Sequence, residues 1–135
     1  MKLSVALATY NEEKNIKDCI SSVKDIANEI IIVDGQSQDK TADIARKLGT
    51  KVISAPNSLQ FHTNKQLAID SCKGDWILQL DADERISLEL AEEIKQVRHP
   101  ELISGSHSNQ SQFSAYYLPR RNFFLGKFLR KGGAY

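Results

Sequence analysis

Long apolar runs are missing from this sequence of 135 residues: the longest, such as Ile30 to Val33, are four residues, against about 20 needed to cross a bilayer. No membrane-spanning segment is expected. Cysteine is scarce. Cys19 and Cys72 are too far apart for a metal-type spacing and fall on apolar faces of expected helices, so buried reduced thiols are the simpler reading. His62, His99 and His107 share no metal spacing either. A glycine-rich phosphate loop of either familiar kind is absent, which argues against an ATPase or a dehydrogenase and leaves any diphosphate ligand to be neutralised by metal and side chains. Ala6-Leu7-Ala8 imitates a signal-peptide cleavage site, but the apolar stretch before it is too short and Glu12-Glu13 follow, so a cytoplasmic location is expected. There is also no excess of one charge. Eighteen Lys plus Arg stand against 17 Asp plus Glu, a formal charge of +1, and nucleic acid is not expected as a partner.

What is present suffices for a core. With 41% hydrophobic and 26% charged residues, the chain reads as a single globular domain able to bury roughly two-thirds of its extended surface, and global disorder is disfavoured. The charge is unevenly spread. Residues 1–101 hold all 17 acids and 13 bases, net −4, whereas residues 102–135 hold five bases and no acid, net +5. The two stretches should face different partners.

Hydrophobic periodicity predicts an alternation of strands and helices. Leu3–Thr9 is an apolar strand, followed by Ile16, Cys19, Ile20, Val23 and Ile26 at helical spacing, with Asn11 able to cap the helix. Residues 29–33 form a β-branched run without alternation, as in a strand covered on both faces, which ends at Asp34-Gly35. Asp39 can cap a second helix reaching Leu48, Gly49 suits its C-terminal position, and Lys51–Ser54 makes a third strand. A third helix over 63–72 ends at Gly74. Trp76-Ile77-Leu78-Gln79-Leu80 then runs into Asp81-Ala82-Asp83-Glu84, and Ser87 caps a fourth helix with Leu90, Ala91, Ile94 and Val97 inward. This order specifies an α/β fold, a mostly parallel sheet flanked by helices with right-handed crossovers. Residues 1–100 form its core, the serine-rich 101–114 a polar loop, and 115–135 a further segment in which 115–118 can add a strand.

Ligands of open parallel sheets bind at the C-terminal ends of the strands, where strand order reverses. Three polar, acidic segments fall there: residues 9–13, 34–39 and 81–84. Asp81 and Asp83, two apart in an extended backbone, can turn both carboxylates to one hard cation such as Mg²⁺ or Mn²⁺; a solvated turn that caps the next helix is the alternative. A calcium loop is excluded, because Arg85 and Ile86 stand where another oxygen ligand and the turning glycine belong. Asp34 can accept hydrogen bonds from a ribose or base, or simply form a turn before Gly35. Tyr10 can stack on a base or pack in the core, and Lys65 can reach a base or phosphate or lie on a solvated helix face.

Four motifs, Ala8-Thr9-Tyr10-Asn11-Glu12-Glu13, Val33-Asp34-Gly35-Gln36-Ser37-Gln38-Asp39-Lys40-Thr41, Lys73-Gly74-Asp75-Trp76 and Leu80-Asp81-Ala82-Asp83-Glu84, resemble in order and spacing the donor domain of family 2 inverting glycosyltransferases with the GT-A fold. The tail from Tyr117 to Gly126, with Gly132-Gly133, resembles the branch that includes lipopolysaccharide-core glucosyltransferases. The resemblance implies a UDP-sugar donor with Mg²⁺ or Mn²⁺ on its diphosphate. Thr9, Tyr10 and Glu12 would line the nucleotide, Asp34 would contact the uridine and Lys65 the nucleotide. Asp81 would approach the ribose or a metal-bound water, and Asp83 would ligate the metal. The acceptor would be a cell-envelope glycan or lipid. Inversion needs a general base, and the family places an Asp or Glu beyond the donor half, but the last acid here is Glu101. A fragment, a truncated product or a degenerate copy is therefore expected, and a noncatalytic nucleotide-binding module is the rival reading. The basic aromatic stretch 120–131 could touch an anionic lipid or the inner face of the plasma membrane, or close the core.

Overall fold

The computed structural model describes residues 1–57, 62–98, Leu118 and the backbone of residues 123, 124, 127 and 128; the side chains of Val97 and Arg98 are not described. Contacts divide the chain into two compact units, Met1–Ser104 and Gly105–Tyr135.

The first unit follows the expected alternation: β1 (Leu3–Thr9), α1 (Ile16–Val23), β2 (Glu29–Asp34), α2 (Thr41–Lys47), β3 (Lys51–Ser54), α3 (His62–Asp70), β4 (Trp76–Asp81) and α4 (Leu88–Arg98). The strands form one sheet in the order β3-β2-β1-β4, with every pairing parallel. The chain winds outward from β1 through β2 to β3, then returns to place β4 on the far side of β1. Right-handed crossovers in opposite directions put α3 on the face opposite α1 and α2, and the latter two lie side by side. The absence of alternation in residues 29–33 now has its cause: Ile31, Ile32 and Val33 are all fully buried between helices.

Val5, Leu7, Ile16, Ile20, Val23, Ile31, Ile32 and Val33 lie at or below 1% exposure. Each such side chain contributes about 1.5–3 kcal/mol on leaving water. On one face Ala6, Val33 and Ala68 form a close cluster extended by Ile53, Ala55, Ile69 and Cys72. The small residues there let α3 approach the sheet closely.

The caps divide. Gly49 adopts φ +84° after α2, with Gly49 N–H donating to Arg46 O (3.0 Å) and Thr50 N–H to Ala45 O (3.4 Å), the paired bonds of a Schellman motif. Ser87 Oγ accepts from Leu90 N–H at 3.2 Å and caps α4 as expected. Asn11 does not cap α1; the cap position is Asn15, with no side-chain cap bond. Asp39 stands one residue before the cap position Lys40 and accepts from Thr41 N–H at 2.9 Å. Helix α3 also ends earlier than expected, at Asp70, leaving Cys72 beyond it, half-buried, its thiol donating to Ala68 O at 3.2 Å.

The N-terminal edge of the sheet is latched by polar contacts. Ser4 Oγ donates to Glu29 Oε1 (2.5 Å) and accepts from Gly74 N–H (2.7 Å), while Lys73 N–H donates to the same Glu29 oxygen (2.5 Å). The Ser4 hydroxyl, and next the Lys73 amide, hold the Glu29 carboxyl below its ordinary value. Gly74 fits only because it has no side chain, since a Cβ would stand 2.5 Å from Ser4 Oγ, 2.8 Å from Ser4 N and 2.9 Å from Lys2 O.

In the second unit β5 (Phe123–Phe124) and β6 (Lys127–Phe128) pair antiparallel. Leu118 belongs to no regular element. The expected strand residues 115–117, the polar loop 101–114 and the side chains of the basic aromatic stretch 120–131 lie outside the described residues.

Candidate functional site

The strand register assembles one polar edge. Thr9 stands opposite Asp34, Asp34 opposite Ser54, and Ala8 opposite Asp81, so the C-terminal ends of all four strands finish on one row. Winding reverses between β1 and β4, which makes their shared end the crevice of the sheet.

Asp34 is 3% exposed. Its carboxylate accepts from Ser37 N–H (3.0 Å), Ser37 Oγ (2.6 Å) and Thr9 Oγ1 (3.4 Å). Asp34 thus forms the turn before Gly35, and with about four acceptor positions on a carboxylate it keeps room for one further donor.

The segments after β1 and β2 are bound to one another. Ser37 Oγ accepts from Asn11 N–H (2.9 Å), Asn11 Oδ1 from Gln38 N–H (2.8 Å), Thr41 Oγ1 from Glu12 N–H (2.8 Å), Asp39 Oδ2 from Glu13 N–H (3.1 Å) and Glu13 Oε2 from Lys40 N–H (3.2 Å). Thr41 Oγ1 also makes a very short bond to Asp39. Partial burial pushes the Asp39 carboxyl up, but the bonds from Thr41 and Glu13 outweigh it and hold the group below its usual range. Asn11 and Gln36 adopt φ of +54° and +61°, a left-handed conformation that costs a non-glycine residue about 1–3 kcal/mol and persists where the surroundings enforce it. Asn11 stands before the α1 cap position, Asn15, and its side-chain amide oxygen is committed to Gln38 N–H across the gap. A groove of about 580 Å³ is lined by Asn11, Glu12, Glu13, Lys14, Asn15 and Asp39; Thr9, Asp34 and Asp81 stand outside that lining.

The segment after β4 differs from expectation in backbone. The strand stops at Asp81, and Ala82 and Asp83 form a turn closed by Glu84 N–H donating to Asp81 O (2.9 Å), with Glu84 Oε2 accepting from Asp81 N–H (2.8 Å). Extended-strand periodicity therefore does not govern where the Asp83 carboxylate points. Asp81 Oδ1 is met by Lys65 Nζ at 2.5 Å and by Gln79 Nε2 at 3.3 Å. Asp83 is exposed. Arg85 Nη1 donates to its carbonyl (3.1 Å), and Arg85 Nη2 meets Asp18 at 3.3 Å; no partner among the described residues takes the Asp83 carboxylate. Cys19 lies directly beneath, with its thiol donating to Asp81 O at 3.5 Å, and burial pushes its pKa up to about 12.

Of the residues singled out from sequence, Thr9, Asp34, Lys65 and Asp81 are brought together on the C-terminal edge. Tyr10 is 43% exposed, which disposes of the core-packing alternative. Glu12 accepts from Asn15 Nδ2 at 2.9 Å. The sequence singles out Asp39 only as a helix cap, and Ser37, Thr41 and Glu84 not individually, although all four carry the turns; the signal for two of them is Asp39-x-Thr41, a side-chain-to-backbone turn pattern. Among the described residues no group of three or more His, Cys, Asp or Glu is arranged as a metal cage. A single free carboxylate on the rim does suit a magnesium-like ion that takes one or two carboxylates and fills its other positions with phosphate oxygens and water.

An all-parallel sheet of order 3-2-1-4, flanked by helices and edged with acids at its reversal point, is the arrangement of a GT-A, Rossmann-like fold. The chain belongs to a specific group within that class: residues 4–131 match the family described as Glycosyl transferase family 2, and the chain is a member of it. An uncharacterized glycosyltransferase of Rickettsia typhi is 44% identical over 117 residues, covering 87% of this chain and 37% of that protein. S. aureus TarS 1-349 in complex with UDP superimposes with a TM-score of 0.64 at 26% identity, covering 85% of this chain and 40% of the other. Glucosyl-3-phosphoglycerate synthase from Mycobacterium tuberculosis, in complex with Mn²⁺ and UDP-glucose, shares the fold with a TM-score of 0.57 at 21% identity over 76% of this chain and 40% of that one. The chain thus spans about two-fifths of the length of these proteins.

Proposed function

We propose that this chain binds the donor for an inverting transfer of sugar from a UDP-sugar to a cell-envelope glycan or lipid-linked acceptor, with lipopolysaccharide core as the acceptor class suggested by residues 117–126. The observation that carries the reading is the convergence of Thr9, Asp34, Lys65 and Asp81 on the switch point of the sheet. Family membership supports sugar transfer, and the UDP complex of TarS supports the nucleotide. Asp34 uses its remaining acceptor position for a uracil or ribose donor, and the exposed ring of Tyr10 offers a stacking face. Lys65 supplies positive charge at the diphosphate. Asp83, joined by Asp81, holds Mg²⁺ or Mn²⁺, as the Mn²⁺ complex of the mycobacterial synthase suggests; when bound, the ion stabilises the charge that gathers on the departing UDP. Among the described residues no helix is long and apolar enough to cross a membrane.

Residues 102–135 contain no carboxylate, so none of them is assigned as the general base. As a second reading, the chain is a module that binds the nucleotide without turning it over. Calorimetric titration with UDP, with and without Mn²⁺, tests the common core of both. Saturable binding strengthened by Mn²⁺ is expected, and its absence defeats both. Release of sugar from UDP-glucose by the chain alone would exclude the noncatalytic reading.

A further inference from the structure

Lys65 sits in the first turn of α3, and the placement of that helix is not loose. Ala68, fully buried against Ala6 and Val33, pins α3 to the sheet, and Lys65, three residues earlier, lies on the same side of the helix. A helix that returns between parallel strands runs against them, so its first turn comes to the C-terminal edge. There Lys65 Nζ meets Asp81 Oδ1 at 2.5 Å, with the two side chains only 17% and 31% exposed. The aspartate is held from its other sides as well: Gln79 donates to the same oxygen, and Glu84 grips the Asp81 backbone N–H. The carboxylate is thus fixed in place and already neutralised by a cation of the chain itself. Asp83, two residues on, has no such partner among the described residues.

A divalent ion approaching Asp81 has to displace the ammonium or sit within a few ångströms of it, and like charges at that range repel strongly where water is thin. A nucleoside diphosphate changes the balance, because its phosphate oxygens offer Lys65 another anion. We infer that Lys65 occupies the cation position at Asp81 in the ligand-free protein and yields it when a nucleoside diphosphate arrives, so that dication and nucleotide bind as a coupled pair. Lys65 then sets the strength of the coupling between dication and nucleotide. This inference rests on the donor-binding reading above. Coupling of this kind is reciprocal, so UDP gains from the ion what the ion gains from UDP.

Mn²⁺ titrations followed by the electron paramagnetic resonance of the free ion test it, first without nucleotide and then with saturating UDP. For the unaltered chain Mn²⁺ should bind weakly alone and at least about tenfold more tightly with UDP. Lys65→Met keeps the aliphatic stem and removes the charge; it should bind Mn²⁺ alone about fivefold or more tightly than the parent, with the UDP-dependent gain reduced to match. Lys65→Arg, which keeps the charge, should behave as the parent. If circular dichroism shows that Lys65→Met does not fold, Lys65→Gln carries the same expectation. Mn²⁺ affinity in the uncharged variant equal to or weaker than the parent, undetectable binding in both included, overturns the inference. Failure of the parent to bind UDP with Mn²⁺ present would instead defeat the donor-binding reading, and the nucleotide-free comparison would still report on Lys65.

Discussion

Replacing Gly74 by alanine should destabilise the protein through one methyl group at the end of the sheet remote from the C-terminal ends of its strands. Gly74 does not sit in the left-handed region, where only Gly49 is found among the described glycines, so the cost does not come from backbone conformation. It comes from space. The added Cβ would lie 2.5 Å from Ser4 Oγ, 2.8 Å from Ser4 N and 2.9 Å from Lys2 O, and two of those three atoms are backbone, so no rotamer change clears them. Either β1 shifts or the 73–75 turn lifts away. Overpacking of this kind costs about 1–3 kcal/mol. Lifting the turn also breaks the Gly74 N–H bond to Ser4 and disturbs the Glu29 acceptor shared with Lys73, worth about 1 kcal/mol more. A total of about 2–4 kcal/mol is a large share of the 5–15 kcal/mol typical of a domain, and should lower the urea midpoint by about 1–2 M at an m-value near 2 kcal/mol/M. Urea denaturation followed by circular dichroism reads it directly. Ser4→Ala removes one of the three clashing atoms, so Gly74→Ala should cost less in that background than alone, a coupling visible in a double-mutant cycle. Gly74→Ala within 0.5 kcal/mol of the parent, a value ordinary for surface changes, would refute the reasoning.

Other expectations follow from the same geometry. Asp83→Ala should abolish the Mn²⁺-dependent part of UDP binding while leaving the melting temperature within about 2 °C, because an exposed carboxylate without a described partner contributes little to stability; a collapsed melting temperature would make Asp83 structural. Glu29 titrates below the ordinary glutamate value of about 4.3 when folded, owing first to the Ser4 hydroxyl. The unfolded chain then binds more protons just below that value, so the stabilisation is complete above about pH 4.5 and is lost as pH falls through the lower folded value. Glu29→Gln should flatten that part of the acid-denaturation curve, and an unchanged acid limb would contradict the assignment. A thiol reagent at pH 8 should label half-buried Cys72 well before Cys19, whose thiol is fully buried with a pKa near 12; equal rates would show that α1 opens readily.

How far the sequence reached can be judged element by element. The uniformly apolar run at 29–33 and the three-and-four spacing of Ile16, Cys19, Ile20 and Val23 were decisive, because burial on both faces and burial on one stripe leave different periodicities. Lys51–Ser54 was placed to the residue because a glycine and a proline bracket it. The edge on which Thr9, Asp34 and Asp81 meet was also legible, since strand ends in a wound sheet share one side. The links between segments were not. Asn11 reads as a helix cap by local rules, yet its side chain bonds Gln38, 27 positions away, and no local pattern announces a partner at that separation. Asp83 was assigned by counting along an extended strand, whereas Glu84 reaches back to the Asp81 amide and ends the strand first. Lys73-Gly74-Asp75-Trp76 stood out as a motif, and its work is steric and structural: a gap for Ser4 and an amide for Glu29.

The mutual bonding of residues 11–13 and 37–41 has a practical consequence for anyone redesigning this edge of the protein. Because amides in each segment are satisfied by side chains of the other, transplanting one of them from a relative would strand donors on both, each at about 1–3 kcal/mol if buried. The two form a single exchangeable cassette, discontinuous in the gene and continuous in space, and libraries that diversify them jointly should retain folded members where one-sided libraries lose them.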